Sequence, residues 1–149
     1  MLAFGQGIIF LILAPLVGLH LTALGCMEAA VVMFIIAFAL TGLGFCIAWR
    51  MSSTQGFHAI MNLFLMPLWF LSGAIFTPQT AWVGLKWVMR FNPLSYGLAG
   101  LQRAVFGAGS AVAALPGWDV ILVVSISFAM AMLFLASFIA RGRVAADLQ

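Results

Sequence analysis

The chain has 149 residues, of which 66% are hydrophobic and only nine are charged. A soluble domain has about a quarter of its residues charged, so this chain cannot cover its own surface against water and reads as a polytopic membrane protein. The net charge of +3 is small and scattered over Arg50, Lys86, Arg90, Arg103, Arg141 and Arg143, which excludes a nucleic-acid surface and leaves the arginines to set topology at span ends.

Taken in chain order, the first apolar run covers residues 2–19. It has no basic n-region and no small-x-small cleavage site, so it reads as a retained span and not a signal peptide. Pro15 is expected to kink it. Glu28 stands just before the second span, at 29–49, where a helix dipole favours a carboxylate. It reads as a cap, with a place in a substrate path as the alternative. Thr41 is the one clear polar group of that span. Cys26 and Cys46 lie twenty residues apart on one predicted helix, roughly 30 Å, too far for a disulfide or a shared metal.

The third span, 57–76, contains Asn62 and Pro67. Asn62 and Ser72 fall on different helix faces, serving either interhelical hydrogen bonds or a pathway lining. Pro67 removes a backbone hydrogen bond and makes either a gate or a static bend. The fourth span covers 120–140. Alternating strands are absent, which excludes a β-barrel.

Between the third and fourth spans lie some forty residues too polar to cross a bilayer and too apolar for a free loop. Residues 80–90 predict a short interfacial helix, with Trp82, Leu85, Val88 and Met89 on one arc and Lys86 and Arg90 beside it. Asn92 is the expected N-cap and Pro93 the first helical residue of a second short helix, 93–106. Leu94, Leu98, Leu101 and Val105 form its apolar stripe, with Tyr96, Ala99 and Arg103 opposite. Fourteen residues give about 21 Å, so this helix either dips in and returns or lies flat. Arg103 is expected to pair with Asp119 or Glu28 if buried, or to snorkel to water if interfacial. The expected architecture is all-α, one domain over 1–149, with four transmembrane helices and two short helices between the third and fourth.

A search for chemistry comes out empty. Lys86 is the only lysine, so no phosphate-binding G-x-x-x-x-G-K-[ST] loop exists. His20 and His58 have no partner at metal-ligand spacing, and no serine is flanked as in G-x-S-x-G. No catalytic residue, cofactor site or metal site is expected.

Two strings nevertheless carry information: LSGAIFTP (71–78) and NPLSYGLAGLQRAVFG (92–107). In this order, with this gap and a following span, they resemble the C-terminal half of the type-2 ABC transporter permeases. The resemblance covers residues 30–143 and aligns the spans with the third to sixth of a six-span subunit. Met1 then falls near the start of the third. A truncated or split product, a mis-assigned start and a functional half-permease all stay open on that mapping. The resemblance implies a bacterial inner-membrane exporter subunit with both termini cytoplasmic. It implies a homodimer or paired permease, an ABC ATPase in trans, and amphiphilic substrates such as drugs, lipids or glycans. Asn62, Pro67, Ser72 and Gly73 would line or gate the route. Asn92, Pro93, Tyr96 and Arg103 would build an outer helical hairpin. Arg50, Ser52, Ser53 and Gln55, in the loop 50–56, would meet the ATPase. Charge alone leaves topology undecided, three basic residues standing on each side. The alternative is a small structural or regulatory membrane protein without transport activity.

Overall fold

The computed structural model describes residues 2–19, 21–74, 82–107, 109 and 112–146. His20, Pro78, Asp147, the end of the expected third span (75–76) and the first residues of the expected interfacial helix (80–81) lie outside them. Every regular element among the described residues is helical: α1 (Leu2–Leu13), α2 (Ala23–Ala48), α3 (Thr54–Trp69), α4 (Val83–Phe91), α5 (Pro93–Phe106) and α6 (Trp118–Ala146). Three stretches are long and apolar enough to cross a membrane, Ala23–Ala48, Thr54–Ala74 and Trp118–Arg141, and Phe4–Leu16 is a shorter apolar helix. Three of the four expected spans are thus long enough to cross, the first is a shorter apolar helix, and the two short helices are present.

Local chemistry moves several boundaries. α2 begins at Ala23, six residues before the expected start, because the Thr22 hydroxyl accepts the Gly25 N–H at 3.0 Å. Glu28 therefore stands in the second turn and is not the cap. α3 begins at Thr54, where the Ser53 hydroxyl accepts the Gly56 N–H at 3.1 Å. Pro15 does not kink a continuing helix. α1 ends at Leu13 and tightens into a 3₁₀ turn, Ala14–Val17. Gly18, at φ 82°, closes that turn, with its N–H on Pro15 O at 3.1 Å and the Leu19 N–H on Ala14 O at 3.2 Å. Both cysteines are free.

The centre of the fold is a close three-helix contact. The buried residues of α2 are Gly25, Ala29, Val32, Ala39 and Cys46, four of them at sevenfold spacing, a coiled-coil-like seam. α5 runs antiparallel to the first half of α2. Gly25 lies against the Ala104 backbone, Val32 against Gly100 and Ile36 against Gly97. α6 runs parallel to α2, with Ile121 also on Gly100 and Met132 on Gly42. On the other side α1 is antiparallel to α2, Phe4 meeting Phe34 edge-to-face at 5.8 Å. Away from this contact the helices present large apolar side chains outward, among them Phe10, Leu63, Phe134 and Phe138. Such a surface fits lipid and not water.

α5 lies beside α2 and α6 along its length, which decides between the two orientations left open: it dips between helices and does not lie flat. Its packing face also differs from the expected one. Gly97, Ala99, Gly100 and Ala104 are buried, whereas Leu94, Leu98, Leu101 and Val105 are half-buried. Helices surrounded by lipid gain little from burying leucine, which lipid solvates equally well. They gain from backbones that approach closely, and small residues permit that.

A Cβ at Gly100 would stand 3.0 Å from Ile121 Cγ2 and 3.1 Å from Val32 Cγ2. Gly100→Leu should therefore wedge all three helices apart and lower stability by about 1–3 kcal/mol. Thermal unfolding of the purified chain in detergent reads this out. The lipid-facing change Phe134→Leu should leave the transition in place.

Candidate functional site

The site begins at a proline. Pro67 lies inside α3 and has no N–H, so the Leu63 carbonyl loses its helical partner. Beyond it the helix widens into a π-type turn, Phe70–Ala74, which ends at Gly73 with φ 98° and ψ 3°. That left-handed backbone is the reason for glycine at this position. A Cβ there would also stand 3.5 Å from Met89 Cε, so a longer side chain would press on Met89.

Side chains donate to main-chain carbonyls along and just before the widened turn. The Asn92 amide donates to Leu68 O at 2.6 Å and the Ser95 hydroxyl to Leu71 O at 3.3 Å. The Ser72 hydroxyl donates to Trp69 O at 2.6 Å. Asn92 acts twice, because its Oδ1 also accepts the Leu94 N–H at 3.0 Å and caps α5. Asn92 and Ser72 are both buried. Tyr96 completes the set: its hydroxyl donates to Arg90 O at 2.9 Å and ties the end of α4 to α5. The polar members of N-P-L-S-Y thus each hold a carbonyl of the preceding segments, and Pro93 starts the helix that presents them.

Arg103 departs from both expectations. It forms no ion pair with Asp119 or Glu28, nor does it extend freely to solvent. Its Nε donates to Pro116 O at 2.6 Å and its Nη2 to Leu115 O at 2.8 Å. The loop before α6 brings two carbonyls to the guanidinium fork, and charge-assisted bonds to them satisfy it. Asp119 is exposed in the first turn of α6, where the helix dipole favours it.

α4, α5, the end of α3 and the loop around 112–116 enclose a cavity of about 700 Å³. Ser72, Gly73, Ser95 and Tyr96 line it, with Lys86 and Arg90 from α4 and Gln102 from α5. α4 does not carry its apolar residues on a single arc as expected. Met89 is buried while Trp82 and Val88 are exposed, together with Trp87 and Phe91.

The residues expected to line a path are not all brought together. Ser72 and Gly73 join Asn92 and Tyr96 at the hairpin. Asn62 stands apart, exposed on α3. Arg50, Ser52, Ser53 and Gln55 lie at the opposite end of α3, about 24 Å away along sixteen residues. Ser53 is the α3 cap and Gln55 is already helical, so the connection itself is shorter than the expected 50–56. Among the described residues no His/Cys/Asp/Glu group could hold a metal ion. Sequence reasoning missed Ser95 as a clamp residue. It also missed Lys86, Arg90 and Gln102 as cavity residues. The i, i+4 spacing of Lys86 and Arg90 was visible, but not the direction in which they point.

A family model described as ABC-2 type transporter matches residues 1–106. The chain belongs to this family. No curated protein and no solved structure matches it. The permease match includes α1 to α5, with the clamp between the third span and the hairpin inside it. As an ABC-2 permease the chain is a multi-pass membrane protein and a transport subunit that does no catalysis of its own.

Asn92→Ala should remove the α5 cap, worth about 1 kcal/mol, and the amide bond to the Leu68 carbonyl, about 1 kcal/mol more. Asn92→Asp keeps the cap acceptor but cannot donate when ionised, so it should recover only part of the loss. Amide hydrogen exchange in the first turn of α5, together with melting temperature, separates the two effects.

Proposed function

We propose that the chain is the membrane-spanning subunit of an ATP-driven exporter for amphiphilic substrates such as drugs, lipids or glycans. A separate ABC ATPase would supply the energy, and the permease would work as a homodimer or paired permease in a bacterial inner membrane. Both termini would face the cytoplasm. This reading rests on the family match and on one observation, the state of α3. None of its residues is buried, and Gln55, His58 and Asn62 fall within one helical face, all exposed. Polar side chains within a span face a partner or a water-filled path and not lipid. Such a face supports a second permease copy or a substrate route beside α3.

In this scheme Arg50, Ser52, Ser53 and Gln55 receive the ATPase, and α3 carries its motion to the other end. The motion ends at Pro67, Ser72 and Gly73, where the widened turn is held by Asn92 and Ser95. A break in the regular backbone at that point is a place where the span end can move relative to the helix below it. Asn92, Pro93, Tyr96 and Arg103 keep the hairpin and its loop together as the gate element.

The chain should co-purify with an ABC ATPase and raise its turnover in proteoliposomes. Arg50→Glu should weaken that association, whereas Asn62→Leu should leave association intact and lower transport of a fluorescent amphiphile. Failure to bind any ABC ATPase would overturn the exporter reading in favour of a membrane protein without transport activity.

A further inference from the structure

We propose that the cavity beneath α4 is a binding site for an anionic amphiphile, with a phosphate-bearing head between Lys86 and Arg90 and an apolar tail against α5 and the loop before α6. This goes beyond the export reading and does not depend on it, since the site needs no ATPase to be occupied.

The charge distribution carries the inference. Lys86 and Arg90 of α4 line the cavity and are themselves exposed at its open side, next to the exposed Trp82, Trp87 and Phe91. Trp87 and Phe91 stack at 6.0 Å, and the Arg90 guanidinium carbon stands 5.9 Å from the Trp87 ring centre, steadied by a cation–π contact. Exposed tryptophans of this kind sit at the membrane–water boundary, the depth at which lipid phosphates lie. The two cations would thus meet head groups at the mouth of the cavity.

Among the described residues no carboxylate lines the cavity, and the segments 75–81 and 107–117 contain no Asp or Glu at all. Among the described residues neither cation is in an ion pair. Tyr96 and Ser95 have already given their hydroxyl protons to Arg90 O and Leu71 O, so Gln102 is the neutral side chain left to donate to a head group. The rest of the wall is apolar, with Leu98, Phe106, Val112 and Val120. A volume of about 700 Å³ is within the range of small-molecule sites. It admits a head group and the first part of a chain.

The test is native mass spectrometry of the full chain, released from detergent containing phosphatidylglycerol or phosphatidylcholine. Two cations near an anionic head should give a preference for phosphatidylglycerol on the order of ten-fold. Lys86→Gln with Arg90→Gln should abolish that preference. Ala114→Trp narrows the cavity from an exposed loop position, leaves both cations, and should lower phosphatidylglycerol retention. It decides the matter should the double variant fail to fold. Equal retention of the two lipids, or a preference unchanged in both variants, would overturn the site. Displacement of the lipid by inorganic phosphate alone would overturn the amphiphile assignment in favour of a soluble anion.

Discussion

Main-chain carbonyls near the end of a membrane span must find donors inside the protein, and the hairpin is organised around this requirement. Each unsatisfied group in hydrocarbon costs several kcal/mol. Pro67 and the widened turn after it disturb the regular helix ladder. Asn92 and Ser95 restore donors from the start of α5, and Ser72 does so from within the turn. A regular helix would need none of these side chains but could not turn the chain at Gly73. The two sequence strings therefore meet in one structural unit: Ser95 of the second donates to Leu71 of the first, and Asn92 to Leu68 just before it.

This arrangement explains why a helix too short to cross a membrane can lie among longer ones. α5 is held at its start by Asn92, along its length by the glycine and alanine contacts with α2 and α6, and near its end by Arg103 on the loop carbonyls. The small residues bring α5 close enough for backbone packing. The capped start and the arginine near its other end remove polar groups that would otherwise oppose burial. Any one of these alone would leave either a gap or an orphaned polar group.

With α5 fixed, α4 has little freedom. Tyr96 holds its last turn, Met89 anchors it inward, and its aromatic side is left facing out. Lys86 and Arg90 then line a space that the described residues leave open. At the other end of α3 lies the short connection with Arg50 and the Ser53 cap, separated from the hairpin by the length of the span. The permease thus has its structural irregularity at one end of α3 and its simplest connection at the other, joined by a helix that is scarcely packed within the chain.

Much of this was legible in the residues. Long apolar runs with hardly a charge specify spanning helices whatever their neighbours. Asn-Pro before fourteen helical residues specifies a capped start, because capping is local. The LSG and NPLSY strings indicated the family. Longer-range facts were not legible. The packing face of α5 was one: Gly97, Ala99, Gly100 and Ala104 are buried, whereas Leu94, Leu98, Leu101 and Val105 are only half-buried.

The sequence by itself determined that the chain spans a membrane, how many helices it forms and where the short pair lies, since hydropathy and caps act over a few residues. Only the tertiary structure decided which carbonyls Asn92 and Ser95 reach, that Arg103 takes Leu115 and Pro116 in place of a carboxylate, and that Lys86 and Arg90 line one cavity. Those outcomes depend on how closely α2, α5 and α6 approach. That closeness comes from Gly25, Gly97, Gly100 and Ala104, where the absence of bulk matters only when a second helix arrives to use it.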